Sequence, residues 1–281
     1  MRSPARPTVS VIIPTHNSGE TIAECLKSIK NQSYADCEII VVDDFSSDNT
    51  IRTAEKFQAR IIQRKCNPAF ARNIGIANSV GRYVLLQDSD QALAPSVVEQ
   101  CVRKCENELV GMVRIPEIFV GKGFWGSCSA VWKNSYEVIE RSHGKEVTVF
   151  SGEPRFFVRE LVTQVGMFNT KLVWGEDYNL YKRLKKAGIK EATCRSCIYH
   201  YELVSIKDIL IKDLRYGKSM PIFVQETQEK VLSQMFKRAF LVFRRVSKDF
   251  SGSPRLIVGC AFLLYLKTSC MMIGLMAGFA T

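Results

Sequence analysis

The chain has 281 residues, of which 46% are apolar and 24% charged, and its formal net charge is +11. This composition is typical of a globular domain with a large core and room for an appendage, and it excludes a chain that is disordered throughout. The basic balance favours an anionic partner, which would be a nucleic acid, a phosphorylated substrate or an acidic membrane surface.

The cysteines and the N-terminus indicate the compartment. Ten cysteines are scattered without the spacing of a disulfide framework. Only Cys194 and Cys197 form a Cys-x-x-Cys pair, and no second pair completes a zinc site, so we interpret this pair as structural. Free cysteines with apolar neighbours favour a reducing compartment. Residues 1–7 contain no apolar segment, so no secretory signal is expected.

The first 115 residues alternate between short apolar runs and amphipathic segments. After the first run, which Pro14 ends, Ile22, Leu26 and Ile29 recur at helical spacing. The apolar runs predict strands at 9–14, 38–42, 59–62, 83–86 and 109–115. The other segments predict helices at 21–29, 70–79 and 95–108. A further helix is predicted to begin after the N-cap residues at 46–48 and to end near residue 57. Short links between these elements predict an α/β fold, a doubly wound and mainly parallel sheet flanked by helices.

Three of the predicted strands end on polar residues. These residues are Pro14 and Thr15, Asp43 and Asp44, and Asp88, Ser89 and Asp90. Parallel strands bring their carboxyl ends to one edge of the sheet, where open α/β proteins bind ligands. Asp88 and Asp90 can share a divalent cation whose other ligands come from a diphosphate, or they can form a solvated turn or helix cap. Asp43 and Asp44 can accept hydrogen bonds from a nucleoside, or they can form an Asx turn that caps the next helix.

Four segments resemble successive motifs of the family 2 glycosyltransferases, which have the GT-A fold. The segments are VSVIIPTHN at 9–17, IVVDDFSSDNT at 40–50, ARNIG at 71–75 and DSD at 88–90, and the resemblance covers about residues 8–200. It implies a nucleotide-sugar site lined by Pro14, Thr15, Asn17, Asp43, Asp44, Arg72, Asp88 and Ser89. It also implies a Mg²⁺ or Mn²⁺ ion that Asp88 and Asp90 hold on the donor diphosphate. Phe45 and the pair Pro68-Ala69 depart from glycine-containing family positions, which leaves the nucleotide base open.

A second group of candidate residues lies near residue 177. Leu180 and Leu184 are four residues apart, so a helix is expected to begin near Asp177. Glu176 and Asp177 would lie at its N-terminus, where any helix favours negative charge. The segment also resembles the Glu-Asp motif of the family, which implies Glu176 and Asp177 as catalytic residues. Asp177 would be the general base on the acceptor hydroxyl in a single displacement with inversion. His200 is either a structural histidine or, by resemblance, a third metal ligand or phosphate contact.

Residues 117–150 show no clear periodicity. Three glycines and three large aromatic residues occur between positions 121 and 132. They predict a loop whose aromatic faces could stack on a sugar ring, and a packed aromatic cluster is the alternative.

The last part of the chain changes character. Residues 230–250 interleave apolar and basic residues, as in a helix on an anionic membrane or an ordinary amphipathic helix. Residues 256–280 are almost wholly apolar and long enough to span a bilayer, with Lys267 near the middle. A spanning helix, a re-entrant or helix-paired segment and a helix in the membrane interface are all compatible with this pattern. Lys and Arg precede the segment and none follow it, so the positive-inside rule places the catalytic domain on the cytoplasmic side of the cell membrane. A membrane, rather than nucleic acid, then accounts for the net charge.

These features predict a catalytic domain at 1–205 and a C-terminal membrane-association region at 206–281. The favoured function is a metal-dependent inverting glycosyltransferase that moves one sugar from a nucleotide-diphosphate sugar to a lipid-linked or cell-envelope glycan acceptor. The alternatives are a polyprenyl phosphate sugar synthase and a non-catalytic membrane protein that binds sugar nucleotides or glycans. Residues 14–20 lack the glycine-rich, arginine-containing loop of nucleotidylyltransferases, and no Gln-x-x-Arg-Trp motif of processive synthases occurs. The sugar, the base, the acceptor and any homo-oligomer stay open.

Overall fold

The computed structural model of the protein describes residues 8–143, 154–202, 205–250 and 252–279. The chain forms two compact units that alternate along the sequence. The first unit consists of Met1–Pro116, Gly152–Thr170 and Asn179–Tyr199, and the second of Glu117–Ser151, Lys171–Tyr178 and His200–Thr281. The functional division at residue 205 stays a prediction. Residues 1–7, where no signal was expected, and Ala280 of the predicted apolar segment lie outside the described residues.

Strands and helices alternate through most of the chain. The described strands are β1 (Val9–Thr15), β2 (Cys37–Asp43), β3 (Arg60–Gln63), β4 (Tyr83–Leu86), β5 (Gln91–Leu93), β6 (Met112–Arg114), β7 (Glu117–Gly121), β8 (Phe156–Val158), β9 (Glu191–Thr193) and β10 (Ile198–Glu202). The described helices are α1 (Ile22–Lys30), α2 (Thr50–Lys56), α3 (Pro68–Asn78), α4 (Val97–Asn107), α5 (Gly123–His143), α6 (Arg159–Gln164), α7 (Glu176–Lys186), α8 (Ile206–Thr227), α9 (Val231–Asp249) and α10 (Pro254–Phe279).

A seven-stranded mixed sheet forms the centre of the first unit, in the order β3-β2-β1-β4-β8-β6-β9. β1 pairs in parallel with β2 and β4, β2 with β3, and β6 with β9. Val11 and Ile13 pack into one core with α1 and α4, and Ile12 packs into another with α3 and α7. The central strands are continuous apolar runs because helices cover both faces of the sheet.

The predicted fold class is confirmed. The strands and helices predicted between residues 9 and 115 are present, with ends that differ by a few residues. Among the described strands of the seven-stranded sheet, β8 alone departs from the parallel arrangement, since it runs antiparallel between β4 and β6. The sequence did not predict this strand, because a three-residue apolar run is too short to show a strand pattern.

The loop predicted after residue 117 is wrong for the described residues, because β7 and α5 occupy residues 117–121 and 123–143. Gly121 and Gly126 bring this strand and helix together, and a methyl group on Gly121 would lie 2.2 Å from the carbonyl oxygen of Gly126. Trp125 and Trp132 pack against a core of the second unit. The glycines therefore mark a close strand–helix contact, and the packed-cluster interpretation of the aromatic residues is correct. Residues 144–150 lie outside the described residues.

α8 and α10 approach each other closely through glycines. A methyl group on Gly217 of α8 would lie 2.1 Å from the carbonyl oxygen of Met271, and one on Gly274 of α10 would lie 2.3 Å from that of Leu214. Small residues at a helix contact allow the two backbones to pack at short range. These two helices therefore form one layer of the second unit.

Lys267, the charge near the middle of the apolar segment, is paired. Its Nζ lies 3.0 Å from Oδ2 of Asp213 on α8. The side chain of Asp213 is 7% exposed and that of Lys267 is 27% exposed. The charge on α10 is thus balanced from within the protein, as the helix-paired alternative requires.

Two helices of the second unit expose apolar side chains along one face. On α9 these residues are Leu232, Phe236, Phe240 and Phe243, and on α10 they are Val258, Phe262, Tyr265, Ile273 and Met276. Their spacings of three, four and eight residues keep each set on one side of its helix. Within the described part of the chain, α10 is the one helix that is long and apolar enough to cross a membrane, judged by length and composition.

Candidate active site

Hydrogen bonds join the loops that follow β1 and β2 in the first unit. In the sheet register Thr15 lies beside Asp43, and the Thr15 hydroxyl donates to that carboxylate at 3.1 Å. The N–H of Asn17 donates to Oγ of Ser46, and the N–H of Ser47 donates to Oδ1 of Asn17, both at 2.8 Å. The two loops therefore form one hydrogen-bonded surface at the carboxyl edge of the sheet, where the sequence predicted the nucleotide site.

The carboxylate of Asp43 is buried at the base of this surface. Besides Thr15, it accepts hydrogen bonds from the N–H and the hydroxyl of Ser46, and from Nε2 of Gln63 at 3.1 Å. The bond from the N–H of Ser46 closes the loop three residues ahead, so it is not an Asx turn, and the predicted cap of the next helix by Asp43 and Asp44 is wrong because Asn49 is the N-cap of α2. Asp43 therefore shapes the loop, and a direct nucleotide contact by this residue stays a prediction.

Asp44 and Phe45 lie at the surface of the same loop. Asp44 accepts from Nζ of Lys65 at 3.2 Å and from the N–H of Cys66 at 3.1 Å. Burial alone would raise the pKa of Asp44, but these hydrogen bonds and the Lys65 charge outweigh it and lower that pKa below its usual value. Phe45 has φ of 53°, a left-handed conformation that glycine adopts more readily, and its side chain is exposed. This backbone conformation accounts for the glycine of the family motif.

The carboxylate of Asp88 lies between two guanidinium groups. Nη2 of Arg72 is 3.0 Å from one oxygen, and Nη1 of Arg155 is 3.1 Å from the other. Both arginines are largely buried, and Arg72 also lies over the ring of Phe168. The sequence alone did not identify Arg155 as a site residue. The feature that could have indicated it is its position as a lone cation directly before the apolar run Phe156–Val158. The two arginines fix Asp88 and balance its charge.

The loop of Asp88, Ser89 and Asp90 is tied to the turn after β1. Oγ of Ser18 and Oγ of Ser89 are 2.8 Å apart. The thiol of Cys25 lies against this loop, 3.6 Å from the carbonyl oxygen of Asp88. Burial, and then the negative charges of Asp90 and Asp88, raise the pKa of Cys25, so the thiol stays protonated. The three strand-end loops thus meet, as the sequence predicted.

The donor atoms of this acidic loop suit a hard divalent cation. Mg²⁺ and Mn²⁺ prefer carboxylate and phosphate oxygens, which Asp88, Asp90 and a donor diphosphate would supply. Among the residues that the structure describes, no three His, Cys, Asp or Glu side chains gather as a metal site. Two arginines already balance the charge of Asp88, and the contact of Asp88 and Asp90 with a metal ion stays a prediction.

Glu176 and Asp177 belong to the second unit, where they form the first turn of α7. The preceding Gly175 has φ of 75°, and a methyl group on it would lie 2.3 Å from the ring of Phe223. The ring of Trp174 also packs on Phe223, with the centroids 4.9 Å apart. Only glycine fits this turn, which fixes the direction in which α7 begins, so the predicted helix start is confirmed.

His200 also belongs to the second unit. Its Nδ1 lies 2.9 Å from Oε2 of Glu117, and its ring stacks on Phe119 with centroids 4.9 Å apart. On the same strand, burial would raise the pKa of Glu202, but the charge of Lys133 outweighs it and holds that pKa below its usual value. A carboxylate on Nδ1 orients an imidazole in the way that metal-binding histidines are often oriented. The predicted metal role of His200 is compatible with this arrangement and stays a prediction.

Comparison with known proteins identifies relatives over most of the chain. Residues 10–166 match the family described as glycosyl transferase family 2. Glycosyltransferase AglE of Haloferax volcanii is 28% identical over 222 residues, which are 75% of this chain and 72% of that protein. Glycosyltransferase GlyG of Streptococcus pneumoniae is 31% identical over 107 residues, 36% of each chain. Against GlyG and three further curated relatives, the chain spans 36–65% of their length.

Solved structures share the fold. The mannosyltransferase PcManGT of Pyrobaculum calidifontis superposes with a TM-score of 0.58 and 19% identity, over 99% of this chain and 87% of that one. TarS of S. aureus in complex with UDP-GlcNAc superposes with a TM-score of 0.57 and 20% identity, over 85% and 73% of the two chains. The fold is thus of the GT-A type, and the chain belongs to glycosyl transferase family 2.

Proposed function

We propose that the protein is a metal-dependent glycosyltransferase that moves one sugar, with inversion, from a nucleotide-diphosphate sugar to a lipid-linked or glycan acceptor. The observation that carries this proposal is the edge of the first unit, where three strand-end loops meet around the Asp88-Ser89-Asp90 segment. The names of two structural relatives support it, since TarS was solved with UDP-GlcNAc and PcManGT with GDP-Man and Mn²⁺.

The donor half of the reaction uses the first unit. The nucleoside would lie on the joined loops, with Pro14, Thr15, Asn17 and Asp44 beside it. A Mg²⁺ or Mn²⁺ ion held by Asp90, with Asp88, would balance the negative charge that develops on the leaving diphosphate. In this arrangement the arginines around Asp88 keep the acidic loop in place and reduce the repulsion between its carboxylates and the donor phosphates.

The acceptor half uses Asp177. A sugar hydroxyl becomes an effective nucleophile only when its proton is removed as the new bond forms, and a carboxylate can take that proton. The start of α7 holds Asp177 on a fixed turn, with Glu176 next to it. If the acceptor is a polyprenyl phosphate, the nucleophile is already an anion and this base is dispensable.

The second unit would hold the enzyme on the cytoplasmic face of the cell membrane. α8 lies along α10 and carries exposed Lys212, Arg215 and Lys218. A spanning α10 would bring this charged face into the bilayer core, which is costly. We therefore favour a helix pair at the membrane surface, with the exposed apolar faces of α9 and α10 in contact with lipid.

A donor screen tests this function. The purified full chain is incubated with radiolabelled nucleotide sugars and a membrane lipid extract, with and without a metal chelator. We expect label to enter the lipid or glycan fraction from one class of donor, the chelator to stop it, and Mn²⁺ or Mg²⁺ to restore it. Tight nucleotide-sugar binding with neither transfer nor donor hydrolysis would instead support the non-catalytic alternative.

A further inference from the structure

A cavity of about 230 Å³ lies within the second unit, and α5, α8, α9 and α10 contribute most of its walls. Its lining is mostly apolar and includes Leu232 and Met235 from α9, and Leu263 and Met271 from α10. It is smaller than the roughly 300–1,000 Å³ of sites that enclose drug-sized ligands. The cavity is therefore too small for a nucleotide sugar and suits a segment of a hydrocarbon chain.

The cavity opens on the exposed apolar face of α9. Leu232 and Phe236 line the cavity, and they are also 40% and 64% exposed. Phe240 and Phe243 continue the same exposed face of the helix. A lipid lying against this face could insert its chain along the apolar side chains of α9, which Leu232 and Phe236 continue into the cavity.

Three cations line the cavity, and two of them are neutralised. Lys133 pairs with Glu202, and Lys267 pairs with Asp213. The third is Arg238, whose guanidinium lies over the ring of Tyr136 at 3.4 Å. Among the described residues Arg238 has no ion pair, and its buried Nε has no hydrogen-bond partner. The cavity thus combines an apolar wall with one uncompensated, fork-shaped cation, which is the complement of a phosphate group on an apolar chain.

We propose that this cavity binds the hydrocarbon chain of a membrane lipid phosphate, with Arg238 as the cation for its phosphate. That this lipid is the acceptor, or carries the acceptor, rests on the function proposed above. The binding site itself rests on the cavity, its opening and its charge. A free phosphate would gain nothing from the apolar walls, and an uncharged lipid would leave the buried Nε of Arg238 without a charged partner.

Direct binding tests the site without any transfer reaction. The full chain is placed in phosphatidylcholine nanodiscs and titrated with farnesyl phosphate, farnesol or inorganic phosphate. Binding is followed by tryptophan fluorescence, because Trp132 and Trp174 both line the cavity. We expect farnesyl phosphate to bind about 10- to 100-fold more tightly than farnesol, since a charge-assisted contact is added. Inorganic phosphate should leave the signal unchanged.

Two pairs of variants locate the site. Ala239→Phe fills the cavity and should weaken farnesyl phosphate binding at least tenfold, whereas Val258→Phe adds the same ring on an exposed position of α10 and should not. Arg238→Gln should remove the preference for the phosphate over farnesol. Arg244→Gln removes the same charge from an exposed position of α9 and should keep that preference.

The outcomes separate this proposal from the proposed function. Three results would overturn the lipid-phosphate site. The protein could bind farnesol and farnesyl phosphate with equal affinity, or Arg238→Gln and Arg244→Gln could change the preference for the phosphate equally. Inorganic phosphate could also produce a saturating fluorescence change. If the protein binds farnesyl phosphate as expected but transfers sugar from no nucleotide sugar, the lipid site is supported and the proposed function is refuted. If Ala239→Phe abolishes farnesyl phosphate binding but leaves sugar transfer intact, the site is supported and its lipid is not the acceptor.

Discussion

Replacing Lys267 with methionine tests how α10 is held in the second unit. Lys267 lies 3.0 Å from Asp213, whose side chain is almost fully buried. Methionine keeps the length of the side chain and a good helix propensity, and it removes the charge. The carboxylate of Asp213 then stays buried without its cation, so the folded state should lose stability.

The expected loss follows from the burial of the pair. Removing one partner of a buried ion pair costs about 3–5 kcal/mol. Lys267 is 27% exposed, so water already screens part of the interaction, and we expect about 2–3 kcal/mol. In a protein of this size, 1 kcal/mol shifts the Tm by about 2–4 °C, which predicts a Tm lower by about 4–12 °C.

Thermal unfolding in a mild detergent, followed by far-UV circular dichroism, measures this change. The double variant Lys267→Met with Asp213→Leu should recover most of the loss, because an apolar pair can replace a buried ion pair at little cost. Lys248→Met removes an exposed cation from α9 and should stay within about 0.5 kcal/mol of the original protein. An unchanged or higher Tm for Lys267→Met, with stronger retention in membranes, would refute the pairing and indicate that α10 spans the bilayer.

Four further predictions concern the site and the membrane surface. Asp90→Ala should abolish metal-dependent transfer, as measured by label incorporation at saturating Mn²⁺, and normal turnover would exclude the metal role. Asp177→Asn should lower kcat by about 10²–10⁴-fold and leave the Kd for donor nucleotide nearly unchanged, unless the acceptor is an anion. Phe236→Ser combined with Phe240→Ser should reduce flotation with anionic liposomes, and undiminished flotation would remove α9 from the membrane contact. The lowered pKa of Asp44 stabilises the fold above the unfolded-state pKa of about 3.9, and this contribution is lost as the pH falls through the folded-state value. Urea titrations should therefore show Asp44→Asn less stable at neutral pH, with the difference vanishing at strongly acidic pH.

The sequence predicted the first unit well because strong local signals agreed there. Continuous apolar runs marked β1, β2 and β4, and the polar residues after them marked the ligand edge of a parallel sheet. The sequence could place Thr15 and Asp43 at that edge. It could not show that Asp43 is fully buried and accepts from Thr15, Ser46 and Gln63, because those contacts depend on strand register and loop conformation.

The remaining features depended on contacts between distant segments. Arg155 meets Asp88 only because β8 inserts antiparallel beside β4, which no local pattern signals. Gly121 and Gly126 were interpreted as loop residues, yet they allow β7 and α5 to touch. A glycine that permits flexibility and a glycine that permits close packing look the same in a single sequence.

The glycine contact between α8 and α10 has a practical consequence for producing the protein. Cutting a chain before an apolar C-terminal helix is a common way to obtain a soluble enzyme. Here Cys260, Leu263, Met271 and Leu275 of that helix belong to the interior of the second unit. Deletion would uncover the interior and the bare backbone around Gly217, and aggregation would follow. Solubility is better sought by keeping the helix and exchanging its outward-facing side chains for polar ones.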